Sequence, residues 1–435
     1  MSARKWFRCL IGVIILLVGA VVAVGAGILF AYFLAGWASS IPILAVSAVI
    51  AVAVVVWASA WATARVWRLQ SRLRFTTIAT AVLAASFTLA LYVLVLRPTP
   101  EIPVANFGVS PKYWQLPTGS KIAYYESDPP SNVRTEPEPI LFLHGGPGMA
   151  ISPFEQTFFG QFAADGYRVY LYDQAGSGQS AFLPFHQYTV SRFVEDIEAI
   201  RQQIGAEKLI LIGHSWGSTL EASYIAKYPE RVSKVVFYSP GPIWNWTKYP
   251  SDFSRAAQAP FRPKYRLRLL ASLILSEIRD NPVAGEKLVS QREAETLYLP
   301  LVAPQAYGLV CRGDTSKLPA YMTSILSHPD FNPGFNPIVF DRLSDMTENS
   351  KLDPHSRLRG NLTPAIVLFS ECDFVPWAAS LDYRKTFPNS KVYYIPRAGH
   401  IIEFAQPELM ARIIRAFLLN KPDAIPPNVG DADPR

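Results

Sequence analysis

The chain has 435 residues, of which 50% are hydrophobic, and it carries 41 basic and 34 acidic side chains. It is longer than one ordinary domain, and its apolar excess predicts a part that lies in lipid. Eight basic residues and no acidic one fall within the first 100 positions, so the remainder is nearly neutral and gives no sign of nucleic-acid binding.

Residues 1–96 have the composition of a membrane domain. Three uncharged segments, at about 10–37, 41–64 and 75–96, each exceed the roughly 20 residues that cross a bilayer core. They predict three transmembrane helices. The first is longer than the apolar core of a signal peptide, so we expect it to be retained.

The basic residues predict the orientation of these spans, because Lys and Arg near span ends stay on the cytoplasmic side. Arg4, Lys5 and Arg8 precede the first span, and four arginines lie between the second and third. We therefore expect a multi-pass protein of the cell membrane with a cytoplasmic N-terminus, and everything after the third span outside the cytoplasm.

Proline-rich segments border the second predicted domain, which covers 113–420. Residues 97–112 contain four prolines and read as a semi-rigid linker. Residues 421–435 also contain four prolines and little to bury, so we expect a disordered tail.

From Ile122 onward, short runs rich in β-branched and aromatic residues alternate with helical patterns. This alternation predicts an α/β domain with a mainly parallel sheet. The predicted strands are 139–143, 167–172, 209–212, 234–238, 365–369 and 392–395, and the predicted helices are 193–204, 218–228 and 407–419.

The loop after the first of these strands reads His144-Gly145-Gly146-Pro147-Gly148. In an α/β sheet with a nucleophile at its carboxyl edge, a loop at this position supplies a donor to the oxyanion hole. Proline has no N–H, so we expect the Gly146 N–H to be this donor. The alternative is an ordinary Gly-Pro turn.

Gly213-His214-Ser215-Trp216-Gly217 lies between a predicted strand and a predicted helix, which is the context of the G-x-S-x-G nucleophile elbow. The pattern predicts an α/β-hydrolase fold. Ser215 is the expected nucleophile, and the Trp216 N–H is the expected second oxyanion donor.

About 120 residues separate Ser239 from the next predicted strand, which is far too many for a structureless loop. We interpret about 240–361 as a helical lid inserted into the fold, with helices near 266–279, 282–299 and 316–326. An insertion here would overhang the strand ends where such sheets bind ligands.

A serine nucleophile needs a histidine base held by a carboxylate, and in this fold acid and histidine follow in that order after late strands. Asp373 and His400 match this order, and Glu371 is the alternative acid. His186, His328 and His355 have no such context and read as surface or structural residues.

Three blocks resemble the prolyl aminopeptidase (proline iminopeptidase) family: His144–Gly148, Asp173–Ser180 and Ser215–Ser218. The resemblance spans about 119–419 and implies a helical lid and cofactor-free release of an N-terminal residue, often proline, from a peptide. The chain departs from the family at three positions. Ala175 stands where the family usually has Arg, His214 stands where it usually has Gly, and the residue after the expected acid, Phe374, is apolar.

In this family carboxylates of the lid or near the triad bind the substrate's ammonium group. Several lid carboxylates are candidates, and the sequence does not choose among them: Glu277, Glu286, Glu293, Glu295 and Asp314.

The sequence therefore predicts a membrane-anchored serine hydrolase, with an aminopeptidase of the proline iminopeptidase kind as the leading function. A carboxylic-ester or lipid hydrolase is the alternative, motivated by the anchor and the basic, leucine-rich stretch 262–275, and a non-catalytic receptor or scaffold is a third reading. No metal or cofactor is expected. Cys311 and Cys372 could form a bridge outside the cytoplasm, but two buried thiols are the preferred reading.

Overall fold

The computed structural model describes residues 3–105, 109–244, 263–302, 309–314, 316, 332–344 and 353–435. The chain forms two compact units. The first consists of Met1–Pro100 with Phe261–Glu293, and the second of Glu101–Pro260 with Ala294–Arg435. The segment predicted as one lid is thus shared between the units, and its predicted helix at 316–326 falls, except for Ser316, outside the described residues.

The first unit contains three long apolar helices, as predicted: α1 (Ala3–Leu34), α2 (Ile41–Val66) and α3 (Arg72–Leu91), the last extended by a π-helical turn, Tyr92–Leu96. Each is long and apolar enough to cross a membrane. Small residues bring α1 close to α2: a Cβ on Gly19 would lie 2.3 Å from the Ser59 Oγ. Insertion in a membrane remains a prediction.

The other helices, in chain order, are α4 (Pro153–Gly160), α5 (Val190–Gln203), α6 (Trp216–Lys227), α7 (Pro263–Leu273), α8 (Pro282–Leu288), α9 (Gln291–Val302), α10 (Pro337–Ser344), α11 (His355–Leu358), α12 (Trp377–Thr386), α13 (Ile402–Ala405) and α14 (Pro407–Leu418). The helices α7 and α8 belong to the first unit, α9 begins in the first unit and continues into the second, and the others belong to the second. A π-helical turn, Ile274–Ile278, continues α7.

The second unit is built on one eight-stranded sheet in the order β1-β2-β4-β3-β5-β6-β7-β8. The strands are β1 (Lys112–Gln115), β2 (Lys121–Ser127), β3 (Ile140–Leu143), β4 (Val169–Tyr172), β5 (Leu209–His214), β6 (Val232–Tyr238), β7 (Ala365–Ser370) and β8 (Ser390–Ile395). Pairing is parallel from β4 through β8, which confirms the mainly parallel sheet, and antiparallel at β1 and β2.

Helices cover the central strands on both sides, so these strands are apolar at every position. β3 and the segment Leu209–Ile212 of β5 are at most 1% exposed. Because parallel strands buried on both faces read as continuous apolar runs, their sequence positions were predictable. The same connectivity brings the carboxyl ends of β3, β5, β7 and β8 to one edge of the sheet.

The tail differs from its predicted disorder. Asn428 pairs with Val392 of β8, donating its N–H to the Val392 carbonyl at 2.7 Å. The Trp377 indole N–H donates to the Asp431 carbonyl at 2.9 Å, and Arg435 donates to the Asp373 carbonyl at 3.3 Å. The tail lies along the last strand because that edge of the sheet offers unpaired backbone groups, which composition alone does not reveal.

Candidate active site

Ser215 lies in the sharp turn between β5 and α6, with φ 51° and ψ −114°. A non-glycine residue in this region is strained, which is typical of an elbow that exposes a nucleophile at a helix N-terminus. The second residue after Ser215 has to be glycine, because a Cβ on Gly217 would lie only 2.1 Å from the Leu143 carbonyl oxygen. Both predicted features of the pattern, the strand before it and the helix after it, are present.

Asp373 and His400 form a buried pair at the same edge of the sheet. The Asp373 Oδ1 lies 2.7 Å from the His400 Nδ1, and the residues are 5% and 3% exposed. Asp373 follows β7 and His400 follows β8, and the Ser370 hydroxyl fixes one loop to the other by donating to the Gly399 carbonyl at 2.7 Å. The contact with Asp373 occupies the Nδ1 of the His400 ring, so the Nε2 of this ring is available to another partner.

Glu371, the alternative acid, is engaged elsewhere. Its carboxylate accepts from the Arg312 guanidinium at 2.8 Å and from the Arg397 N–H at 2.9 Å. The backbone hydrogen bond and the guanidinium lower the pKa of this carboxyl. Of the two carboxylates considered from the sequence, the structure brings Asp373 to His400.

His214 joins the elbow to the His400 loop. Its Nε2 lies 3.1 Å from the His400 carbonyl oxygen, so this nitrogen carries the proton and donates. Burial lowers the pKa of His214 well below its usual value, and its ring stacks on Tyr238 at 4.6 Å. Since the residue beside Ser215 contacts His400 directly, the two predicted catalytic loops meet.

The glycine-rich loop after β3 also reaches the elbow. A Cβ on Gly145 would lie 3.1 Å from the Ser215 Cβ, and Gly146 has a φ of 118° that favours glycine. Within the described part of the chain, the N–H groups of Gly146 and Trp216 donate to no other group. Two undonated amides beside the serine of the elbow are what an oxyanion hole requires.

Two residues that the sequence did not single out hold this loop. Gln174 donates its backbone N–H to the His144 Nε2 and its side-chain amide to the His144 carbonyl, both at 2.9 Å. Burial lowers the pKa of His144 to about 4, so the ring stays neutral and keeps accepting. Asn336 donates its backbone N–H to the Gly148 carbonyl at 2.8 Å. Gln174 lies in a family-like block, whereas no sequence signal marks Asn336.

Comparison with known sequences identifies the class. Residues 138–280 match the family described as the alpha/beta hydrolase fold. Proline iminopeptidase of Neisseria gonorrhoeae is 38% identical over 125 residues, which cover 28% of this chain and 38% of that relative. Proline iminopeptidase of Xylella fastidiosa strain 9a5c is 29% identical over 275 residues, or 60% of this chain and 83% of the relative.

The chain therefore spans little more than a third of the length of the Neisseria gonorrhoeae relative. The chain has the α/β-hydrolase fold and is similar in sequence to proline iminopeptidases. Solved structures agree on the fold. Bromoperoxidase from Bacillus anthracis aligns with TM-score 0.50 at 21% identity over 71% of this chain and all of the other. A meta-cleavage product hydrolase from Pseudomonas fluorescens IP01 aligns with TM-score 0.51 at 15% identity over 72% and 98%.

The two cysteines that were expected to be thiols form a disulfide, so that expectation is wrong. Cys311 and Cys372 are bonded, and both are half-buried. The reason is that the lid segment around 309–312 lies against the loops after β7 and β8. Arg312 donates to Glu371 at 2.8 Å, and a Cβ on Gly399 would meet the Leu309 carbonyl oxygen at 2.3 Å. The only described cluster of metal-type ligands, Cys311, Glu371 and Cys372, thus has its two sulfurs joined to each other.

The lid carboxylates whose side chains the structure describes have protein partners. Glu286 accepts from the Gln291 side chain at 3.2 Å, and Asp314 accepts from the Ser316 N–H at 3.2 Å. Glu293 forms a buried ion pair with Arg268 at 2.6 Å, and Glu295 accepts from Asn332 at 2.9 Å. The side chain of Glu277 lies outside the described residues. These contacts favour structural roles for the four.

Proposed function

We propose that this chain is a serine hydrolase working by acyl transfer, with Ser215 as nucleophile, His400 as general base and Asp373 as the acid that orients it. The observation that carries the proposal is the buried Asp373–His400 pair at 2.7 Å, joined through His214 to a strained serine elbow. Ser215 attacks a carbonyl carbon while the His400 Nε2 takes its proton, and Asp373 stabilises the imidazolium.

The proposed oxyanion hole consists of the N–H groups of Gly146 and Trp216. The carbonyl oxygen of the substrate gains negative charge as the tetrahedral intermediate forms, and two preorganised donors stabilise that charge. Collapse of the intermediate expels the amine or alcohol, which takes the proton from His400. Water then attacks the acyl-enzyme by the same route and regenerates Ser215.

We propose an N-terminal aminopeptidase activity of the proline iminopeptidase kind as the leading reaction. The support is sequence similarity to proline iminopeptidases, including one match over 83% of the relative's length. Such an enzyme has to bind the free amino group of a peptide. Which carboxylate would do so here is not proposed, because the described lid carboxylates already have partners.

A carboxylic-ester hydrolase is the second candidate, and a specific contact favours it. The residue after the proposed acid, Phe374, packs on His400 with ring centroids 4.2 Å apart. An apolar wall at this position suits an acyl or alkyl group better than an ammonium group.

The test uses the full chain in nanodiscs with a proline arylamide and with short-acyl and long-acyl p-nitrophenyl esters. Arylamide turnover is the expected result, and ester-only turnover would support the second candidate. Ser215→Ala should lose on the order of 10⁶-fold in kcat. Ser223→Ala is the matched control, since Ser223 lies on the same helix and donates only to the Thr219 carbonyl. Absence of turnover and of fluorophosphonate labelling would refute the hydrolase proposal and favour a scaffold.

We also propose that the three long helices anchor the enzyme in the cell membrane. The helix α1 would start in the cytoplasm, and the second unit, which we call the hydrolase unit, would lie outside. The charge distribution supports this orientation, and so does the disulfide, because such bonds persist in oxidising compartments. In right-side-out vesicles, added protease should remove an epitope fused after Arg435 and spare one fused before Met1. The reverse pattern would overturn the orientation.

A further inference from the structure

An apolar stripe is exposed along α7 and the π-helical turn that continues it. Leu267, Leu270 and Ile278 are 43%, 51% and 69% exposed, and Ile274 between them is half-buried. These residues recur at intervals of three and four, so they share one side of the helix. The opposite side is buried, with Arg268, Leu269, Ser272 and Ser276 at 7% exposure or less.

Close packing on α8 fixes which side of this helix is exposed. The Ser272 hydroxyl donates to the Gly285 carbonyl at 2.9 Å, and a Cβ on Gly285 would lie 1.9 Å from the Ser276 Oγ. A helix held this closely by small and polar residues cannot rotate its leucines inward without breaking those contacts. The stripe is therefore a fixed surface of the α7–α8 pair.

The same pair is attached to the ends of the long apolar helices. Asn281, which caps α8, donates its side-chain amide to the Ala35 carbonyl at 2.6 Å and accepts from the Ser39 hydroxyl at 3.0 Å. Buried Glu293 accepts from the Thr99 N–H at 2.7 Å, and its ion-pair partner Arg268 donates to the Val95 carbonyl. The α1–α2 turn and the end of α3 thus lie at the same end of the helices.

Aromatic residues mark the level of this attachment. The Arg279 guanidinium lies 5.3 Å from the Tyr32 ring centre and 6.0 Å from that of Trp37, and Trp37 is 78% exposed. Tyr and Trp are enriched where membrane helices leave the hydrocarbon core for the headgroup region. The stripe is therefore fixed at the depth of the membrane interface, if the helices span a membrane.

We propose that the helix Pro263–Ile278 lies in the outer interface of the bilayer, with Leu267, Leu270, Ile274 and Ile278 against the lipid. The inference rests on the proposed membrane insertion. It adds a second role to the first unit, which we call the membrane unit: this unit holds one part of the lid insertion at the lipid surface. Lipid is the occupant because the stripe ends beside exposed apolar residues of α1: Arg279, which follows Ile278, donates to the Phe33 carbonyl at 3.2 Å, and Phe33 is 62% exposed. Amphipathic helices bind interfaces by burying such a face at the headgroup boundary.

Spin-label accessibility in the full-length protein tests this. In a Cys9→Ser background, which removes the exposed free cysteine, a nitroxide is attached to Leu270→Cys, and the protein is placed in phosphatidylcholine vesicles without reductant. Val54→Cys on α2 is the lipid reference, and Leu362→Cys on the hydrolase unit is the water reference, since their native side chains are 64% and 72% exposed. Collision rates with oxygen and with a water-soluble nickel chelate are compared.

We expect the label at 270 to resemble the one at 54, with oxygen favoured over nickel. A label that behaves like the one at 362 overturns the proposal. Shielding from both reagents, with dipolar broadening that disappears on dilution with unlabelled protein, would mean that a second copy covers the stripe, and this also overturns it. If the label at 54 itself meets nickel freely, the membrane insertion fails and the inference fails with it.

Discussion

The two units of this protein are both rich in apolar residues but place them in opposite ways. In the hydrolase unit the large residues of β3 are fully buried. In the first unit, Leu17, Val21 and Leu29 of α1 are 63%, 75% and 65% exposed, and small residues such as Gly19 occupy the contact with α2. The first arrangement draws its stability from removing apolar surface from water. The second relies on close packing between helices, and its exposed apolar side chains suit the proposed lipid environment.

The three long helices and the second unit differ as sharply in their acids. The first 100 residues contain no carboxylate side chain, whereas the hydrolase unit buries several, including Asp373, Glu155, Glu221 and Glu403. Burial raises the pKa values of Glu221 and Glu403 well above the usual range. The hydrolase unit thus contains polar groups whose removal should strongly affect turnover or stability. The long helices contain steric contacts whose disruption should affect stability less.

The largest effect is expected at the proposed acid. Asp373→Asn should lower kcat by about 10⁴-fold, because an amide cannot stabilise the His400 imidazolium and favours the wrong ring tautomer. Glu371→Gln is the matched control, since Glu371 pairs with Arg312 instead and kcat should change little. Steady-state kinetics on the best substrate decides, and the opposite ranking would make Glu371 the acid.

Loss of the disulfide should come next. The bond closes a loop with a sequence separation of 61, for which constraint of the unfolded chain predicts about 4 kcal/mol of stability. The Cys311→Ser/Cys372→Ser variant should melt at a lower temperature than the wild type, and reductant should lower the melting temperature of the wild type only. Cys9→Ser should behave as the wild type. Two titratable thiols in non-reduced wild type besides Cys9 would contradict the pairing.

Gly146→Ala should lower kcat by about 10²–10³-fold, the cost of losing one oxyanion donor. A Cβ at this position would lie 2.8 Å from the Gly148 N and 2.9 Å from the Met149 N, so the loop would have to move. Gly205→Ala is a suitable control because Gly205 also has positive φ but has nothing within 4 Å of the added carbon. Equal losses in both variants would argue against the loop's role.

The buried Glu155 should make stability depend on pH. Burial raises its pKa to about 7, so from about pH 4.5 to 7 the unfolded chain ionises while the folded protein keeps the proton, and stability falls as pH rises. Glu155→Gln stays neutral in both states and can still accept from the Ser152 N–H. Its melting temperature relative to the wild type should therefore rise between pH 5 and pH 8, by an amount worth roughly 2–3 kcal/mol. A constant difference would refute the raised pKa.

The same contrast explains what the sequence could predict. The spans, the central strands and the elbow follow from periodicity and composition, since each is determined by local residues. The Asp373–His400 pair followed from the order of the fold and from position after late strands. Asn336, the disulfide and the split lid depend on contacts between distant segments that no local pattern encodes. The antiparallel strands β1 and β2 were missed because half-exposed strands, such as Lys112–Gln115, lack a continuous apolar run.

The smallest effect is expected within the spans, where two glycines of α1 form a matched pair. A Cβ on Gly27 would lie 2.8 Å from the Val52 Cγ2 and 3.0 Å from the Ala48 carbonyl oxygen, whereas nothing lies within 4 Å of one on Gly25. Both replacements by leucine gain the same helix propensity, so their difference isolates the α1–α2 contact. Gly27→Leu should be about 1–3 kcal/mol less stable than Gly25→Leu in SDS titration of the micellar protein. Equal stability would mean that α1 and α2 are not held together by close packing at this point. The contrast between the units could then no longer be explained by close packing of small residues in the first unit.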